Sequence, residues 1–87
     1  MNMQSQDKQL QTAVKELGLL GYSSKLSGWK GTIYIEIIDQ SIEDAALYPT
    51  PKGWGITTNV YGDGLSRHFD DLSSAIIEFI ILSKLGK

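Results

Sequence analysis

Residues 32–38 read Thr-Ile-Tyr-Ile-Glu-Ile-Ile, and this stretch decides the fold. β-Branched and aromatic residues dominate it, which is typical of a β-strand. Isoleucine occupies positions 33, 35 and 37, and it alternates with Tyr34 and Glu36. This period of two predicts a sheet with one dry face and one wetter face.

Three more strands are predicted around this stretch. A weak strand over 22–27 precedes it, across turn-rich residues 27–31. A second hairpin is predicted from a strand at 54–61, with residues 54, 56, 58 and 60 on one face, a tight turn at 62–64, and a strand at 65–69. Residues 39–47 allow two interpretations: one helical turn capped by Ser41, or an irregular segment. The prolines at 49 and 51 favour extended backbone between them.

A helix is predicted at each end of the chain. The first covers 5–17, where apolar residues recur at three- and four-residue spacing, and Gly18 is expected to end it in a left-handed conformation. The last begins at a cap formed by Asp70 or Asp71 and runs to about Leu85. The order α-β-β-β-β-α predicts one α+β domain over 1–87, with an antiparallel sheet of three or four strands and both helices packed on one face. Residues 1–4 are expected to be disordered.

The composition excludes several kinds of site. The chain has 87 residues, no Cys, one His and a net charge of −2. A disulfide framework, a thiol nucleophile and a three-His zinc site are therefore impossible, and we predict no metal and no cofactor. The negative charge argues against binding nucleic acid by bulk charge.

No targeting or membrane segment is expected. The first eight residues are polar, and the longest apolar run, 76–82, is interrupted by Glu78. A bilayer span needs about 20 apolar residues. These features predict a cytoplasmic protein with no membrane partner.

The last helix is more apolar than one buried face requires. Its core stripe is predicted at Leu72, Ala75, Ile76, Phe79 and Ile80. Ile77, Ile81 and Leu82 lie outside that stripe. Either the first helix covers these three side chains, or they bind another protein or a second copy of the chain in a homodimer.

The wetter face of the sheet is the second candidate surface. The residues predicted to share it are Tyr34, Glu36, Thr57, Asn59, Tyr61 and His68. Tyrosine is favoured at recognition surfaces because it combines a rigid apolar ring with a polar tip. The alternative is that these are ordinary solvated positions of a sheet.

Catalytic chemistry finds little support. His68 lies beside Asp70 and Asp71, but a histidine with a carboxylate is only half of a general-base arrangement, and no Gly-x-Ser-x-Gly nucleophile motif occurs. We therefore predict that the protein is not an enzyme. A small-ligand or cryptic enzyme site around His68 and Trp54 is the third-ranked hypothesis.

Residues 62–68 read Gly-Asp-Gly-Leu-Ser-Arg-His, which resembles the Gly-x-Gly-x-Ser-Lys-Lys stretch of double-stranded-RNA-binding domains. The resemblance covers seven residues and implies phosphate binding at the start of the last helix. The sequence departs from that pattern at Asp70 and Asp71, where further positive charge would be expected. It implies the second-ranked hypothesis, a nucleic-acid-binding module. A related version uses Lys25, Tyr34, Tyr61 and Arg67 on one sheet surface.

The leading hypothesis is a small non-catalytic protein-interaction module, such as an adaptor, regulator or inhibitor. It would act through the apolar last helix, the tyrosine-bearing sheet face, or both.

Overall fold

The sheet has five strands, each paired with the next one along the chain, and one helix precedes the strands and another follows them. The computed structural model describes residues 2–62 and 64–83, with side chains from Lys8 onward. Its elements are α1 (Asn2–Leu19), β1 (Ser24–Trp29), β2 (Thr32–Ile37), β3 (Ala46–Thr50), β4 (Gly53–Thr57), β5 (Ser66–Phe69) and α2 (Leu72–Ser83). Each strand is antiparallel to the next. The predicted α+β class and antiparallel sheet are confirmed.

The predicted strand count is wrong, because β3 was missed and the order is α-β-β-β-β-β-α. The missed strand contains Pro49, and proline within a run normally argues against a strand. Here β3 pairs with β2 at Leu47, so the absent N–H of Pro49 lies beyond that pairing. Proline is therefore tolerated in a strand at the centre of the sheet.

Residues 38–45, which connect β2 to β3, are irregular, so the helical-turn interpretation is wrong. The side chain of Gln40 holds this segment. Its Oε1 accepts the Ile37 N–H at 2.9 Å, and its Nε2 donates to the carbonyls of Glu43 at 2.9 Å and Ala45 at 3.0 Å. The Ser41 N–H donates to the Ser83 carbonyl at 2.8 Å and fastens the segment to the end of α2.

The first helix is longer than predicted at both ends. It begins at Asn2, whereas the sequence predicted a start at Ser5. It also continues through Gly18, and the left-handed residue is Gly21, with φ of 94°. The Tyr22 N–H reaches back to the Leu17 carbonyl at 2.9 Å, which is the longer hydrogen bond of a Schellman motif. A left-handed glycine at the end of the helix was predicted, but at Gly18, three residues before Gly21.

The predicted strand 54–61 ends at Thr57. Beyond the strand, Thr58 is joined to Leu65, because Thr58 donates its N–H to the Leu65 carbonyl and accepts the Leu65 N–H on its Oγ1, both at 2.9 Å. Positions 58 and 60 therefore do not continue the face of Trp54 and Ile56. The predicted tight turn at 62–64 contains Asp63, which lies outside the described residues, as does the predicted end of α2 at Leu85.

The core lies between the two helices and one face of the sheet. Ile35, Leu47 and Ile56 form a row across the three central strands and have no exposed surface. The helix residues packed with them are Leu10, Ala13 and Leu17 of α1 and Ala75, Ile76, Phe79 and Leu82 of α2. The other face of the sheet, which we call the helix-free face, carries the alternate residues of each strand.

We expect Gln40→Ala to lower the free energy of unfolding by about 1–3 kcal/mol. The substitution leaves one N–H and two carbonyls without their partner in a half-buried segment. Urea denaturation measures the change. Gln11→Ala, on the exposed side of α1, is the control and should be neutral. Equal effects of the two substitutions would contradict this role of Gln40.

We also expect Asp71→Ala to destabilise the protein less at acid pH than at pH 7. Asp71 Oδ2 accepts the Ser74 N–H at 2.9 Å, which makes it the cap of α2 and lowers its pKa below the usual 3.8. A lowered folded-state pKa stabilises the protein above the unfolded-state pKa, and this stabilisation is lost as the pH falls through the folded-state value.

Urea midpoints measured at both pH values test this expectation. Asp70→Ala removes the neighbouring carboxylate, which is 95 % exposed and does not form this hydrogen bond. A pH-independent effect of Asp71→Ala, or an equal effect of Asp70→Ala, would show that the Asp71 carboxylate is not the stabilising cap.

Candidate functional site

Two of the concave surfaces formed by the described residues lie on opposite sides of the sheet. The first, which we call the helix groove, is a cavity of about 400 Å³ between α1 and α2. It is lined by Thr12, Glu16, Leu20, Leu72, Ser73, Ile76 and Ile77. Leu20 and Ile77 are 55 % and 59 % exposed, while Ile76 is buried at 3 %. The groove therefore has apolar walls that the described residues leave partly exposed.

The three apolar residues predicted to lie outside the core stripe of α2 differ in their exposure to solvent. Ile77 and Ile81 are exposed on the same side of the helix, one turn apart. Leu82 is buried at 4 % and belongs to the core, so its assignment to a binding surface is wrong. The spacing of Ala75, Phe79 and Leu82 already follows the four- and three-residue rhythm of one helix face, and that signal could have placed Leu82 inside.

The second surface lies on the helix-free face, where aromatic rings cluster. Tyr48 of β3 lies over Gly55 of β4, and a Cβ built on Gly55 would come within 2.5 Å of the Tyr48 ring. Tyr34 of β2 lies beside Tyr48, because the two residues flank the Ile35–Leu47 pair on the same side. Tyr61, from the loop after β4, meets Trp29 edge-to-face at 4.7 Å between ring centroids. This face is therefore partly covered by its own aromatic rings.

These rings border a cavity of about 410 Å³, which we call the aromatic cup. Its aromatic lining is Trp29, Tyr48 and Tyr61, and its polar lining includes Lys30, Thr57, Asn59 and Ser66. Trp29 and Tyr61 are 41 % and 54 % exposed, so both side chains keep surface in contact with solvent. Among the described residues that line the cup, Lys30 carries the one charge.

The loop that supports Tyr61 is held by its own hydrogen bonds. Asn59 Oδ1 accepts the Tyr61 N–H at 3.0 Å, and Thr57 Oγ1 accepts the Asn59 N–H at 3.1 Å. The Val60 N–H donates to the Asp44 carbonyl at 2.9 Å, which ties the loop to the β2–β3 connection. The wall of the cup is therefore built without a ligand. Thr57 and Asn59, both predicted as binding residues, serve this loop, and Thr57 itself is buried.

Tyr34 was predicted to be a contact residue, but it is only 4 % exposed. Burial raises the pKa of its phenol above 10.0, and the hydrogen bond to Tyr61 and the nearby Glu36 carboxylate raise it further. Tyr34 therefore supports the cup from below. Glu36 is likewise occupied, because it accepts a hydrogen bond from the Ser27 hydroxyl on β1.

His68 lies on β5, where the sequence placed it, on the helix-free face. Its Nε2 is 3.0 Å from Thr50 Oγ1, and its Nδ1 is 4.0 Å from Asp70 Oδ1. The two side chains meet across β4 because Gly53 and Gly55 present no side chain between them. His68 lines neither the helix groove nor the aromatic cup.

The residues proposed to hold nucleic acid do not share a surface. Arg67 lies on the helix side of β5, at 3.8 Å from Glu78 of α2. Lys25 lies on the helix-free face, opposite Glu36 in the β1–β2 pair. With Tyr34 buried as well, the four residues do not combine stacking rings with local positive charge.

Three residues that shape these surfaces were not predicted as site residues: Leu20, Trp29 and Tyr48. Trp29 ends β1 beside a two-residue hairpin turn, Lys30-Gly31, and such a turn was visible in the sequence. Tyr48 and Leu20 gave no comparable signal. Tyr48 belongs to the missed strand β3, and Leu20 follows a helix that was predicted to end earlier.

Two features are absent from the described residues: a cluster of metal-binding side chains and a membrane-spanning helix. Across 2–62 and 64–83, no group of three His, Asp or Glu side chains is arranged to hold a metal ion. Neither helix, as far as it is described, combines the length and apolarity needed to cross a bilayer.

Comparison of the chain with protein-family models, curated proteins and solved structures finds no match. The geometry of the helix groove and of the aromatic cup is therefore the basis on which a function can be proposed.

We expect Gly55→Ala to destabilise the protein by about 1–3 kcal/mol, because the new methyl group must displace the Tyr48 ring. Gly28→Ala in β1 is the matched control, since its Cβ would meet no atom closer than 3.7 Å. Thermal and urea unfolding measure both. Adding Tyr48→Ala to Gly55→Ala should remove the clash, so the two substitutions should be less than additive. Equal effects of the two glycine substitutions, or strict additivity with Tyr48→Ala, would contradict this packing.

Proposed function

We propose that the protein is a non-catalytic interaction module that binds an apolar segment of another protein in the helix groove. The observation that carries this proposal is the exposure of Leu20 and Ile77 on facing walls of one groove. Contiguous exposed apolar surface marks interaction sites, whereas single exposed apolar side chains do not. Ile81, 52 % exposed and one turn beyond Ile77, extends the apolar surface along α2.

The groove favours a helical partner segment. A trough between two helices accepts the apolar stripe of an amphipathic helix, whose side chains at three- and four-residue spacing enter between the walls. Burying one isoleucine or leucine side chain contributes about 1.5–3 kcal/mol, so a few such contacts support a micromolar complex.

The charge of the groove indicates the polar part of the partner. Glu16 is the one charged residue among those that line it. A lysine or arginine beside the apolar stripe of the partner would complement this carboxylate, whereas an acidic residue there would be repelled. The expected partner is therefore a basic amphipathic helix.

The non-catalytic part of the proposal is supported by the position of His68. It lies on an open strand surface, hydrogen-bonded to Thr50 and outside both concave surfaces. A general base needs to reach a substrate held in place, and neither the groove nor the cup holds one against this imidazole.

Binding in the groove is tested by Ile77→Ser, with Ile38→Ser as the matched control. Both isoleucines are about half exposed, but Ile38 does not line the groove. We expect Ile77→Ser to weaken partner binding by about 2 kcal/mol, or about thirty-fold in Kd, and Ile38→Ser to leave it unchanged. Quantitative affinity capture from the native host with each variant, followed by titration of the recovered partner, measures the change.

Sedimentation velocity of the purified protein separates a foreign partner from a second copy. A dimer that Ile77→Ser dissociates would assign the groove to self-association. Capture of the same proteins by the wild type and by both variants, together with a monomer at all concentrations, would contradict the proposed function.

A further inference from the structure

We propose that the aromatic cup binds a small planar ligand that carries a negative charge, an aromatic acid. This site lies on the helix-free face, on the other side of the sheet from the helix groove, and does not depend on the groove being occupied. Its volume of about 410 Å³ falls within the range of small-molecule sites in proteins.

The two outer rings of the cup present a corner. Trp29 and Tyr61 are perpendicular, with an interplanar angle of 89°, and both keep ring surface exposed to solvent. A planar ring that stacks on one of them meets the edge of the other, and both arrangements are favoured between aromatic rings. The geometry therefore selects a flat ligand over an aliphatic one.

The charge around this corner selects an anion. The Lys30 ammonium lies 5.6 Å from the centre of the Trp29 ring, and no carboxylate is among the described residues that line the cup. A ligand cation would compete with Lys30 for the Trp29 ring and would be repelled by it. A ligand carboxylate would instead neutralise Lys30 next to the stacked ring.

The hydrogen-bonding groups agree with this selection. Asn59 uses its Oδ1 to accept the Tyr61 N–H, and its Nδ2 group is a donor. Lys30 supplies donors only. A ligand carboxylate accepts hydrogen bonds from both of these donors. A ligand amine is itself a donor and finds no acceptor in either group.

The walls require little rearrangement on binding. The Tyr61 loop is tied to the Asp44 carbonyl and closed by Thr58, and Tyr48 is seated on Gly55. A site already formed in the free protein loses less entropy when it binds.

The test compares three ligands that share one ring: indole-3-propionate, 3-methylindole and tryptamine, which are anionic, neutral and cationic. Each is titrated into the ¹⁵N-labelled full chain, and amide shifts are followed together with the indole N–H of Trp29. We expect indole-3-propionate to shift Trp29, Lys30, Tyr61 and Gly62, and to bind at least about tenfold more tightly than tryptamine at low salt.

Two variants test whether Lys30 causes the preference for the acid over the amine. Lys30→Gln should bring the affinities for the acid and the amine close together, whereas Lys25→Gln, on the same face but outside the cup, should leave the difference intact. The amide spectra show that each variant is folded.

The proposal is overturned by the absence of shifts at the cup with all three compounds at millimolar concentration. It is also overturned by equal binding of acid and amine to the wild type, or by shifts confined to the helix groove. None of these results bears on the Ile77→Ser test, so the two proposals can fail separately.

Discussion

Leu47 lies at the centre of the sheet, with Ile35 on one side and Ile56 on the other, and these three side chains have no exposed surface. Because they sit on three adjacent strands, their burial requires all three strands to be in register at once. Both helices pack on this row through Leu17, Phe79 and their neighbours. The position of every other surface of the protein follows from this arrangement.

The two helices cover the row side by side, and the groove between them is a consequence of that packing. Each helix presents its buried face to the sheet, so the side chains at the seam are shared between core and surface. Ile76 is buried at the floor of the groove, while Ile77, the next residue, is left on its wall. An apolar residue on each side of the seam, Leu20 and Ile77, is therefore left exposed without loss of a core contact.

The packing on the helix-free face of the sheet depends on two glycine residues in β4. Gly53 and Gly55 leave a trough along β4, which admits the Tyr48 ring and lets Thr50 approach His68 from β3. Tyr34 then lies beside Tyr48, and the loop after β4 brings Tyr61 to its hydroxyl. The result is a second, smaller cluster of buried surface whose outer rings, Trp29 and Tyr61, face solvent. The chain thus has a dry core on one side of its sheet and an aromatic cup on the other.

The sequence alone determined the elements whose signals are local. The alternation at 32–38, the apolar spacing of both helices, an aspartate cap at residue 70 or 71 and a left-handed glycine after the first helix depend on neighbouring residues, and their physical basis can be recognised without the fold. The tertiary structure alone decided the presence of β3, the burial of Tyr34 and the meeting of Tyr48 with Gly55. Each of these depends on residues distant in the chain: Pro49 is tolerated in β3 because the pairing with β2 is made at Leu47, and Tyr34 is buried only because other rings cover it on the folded sheet.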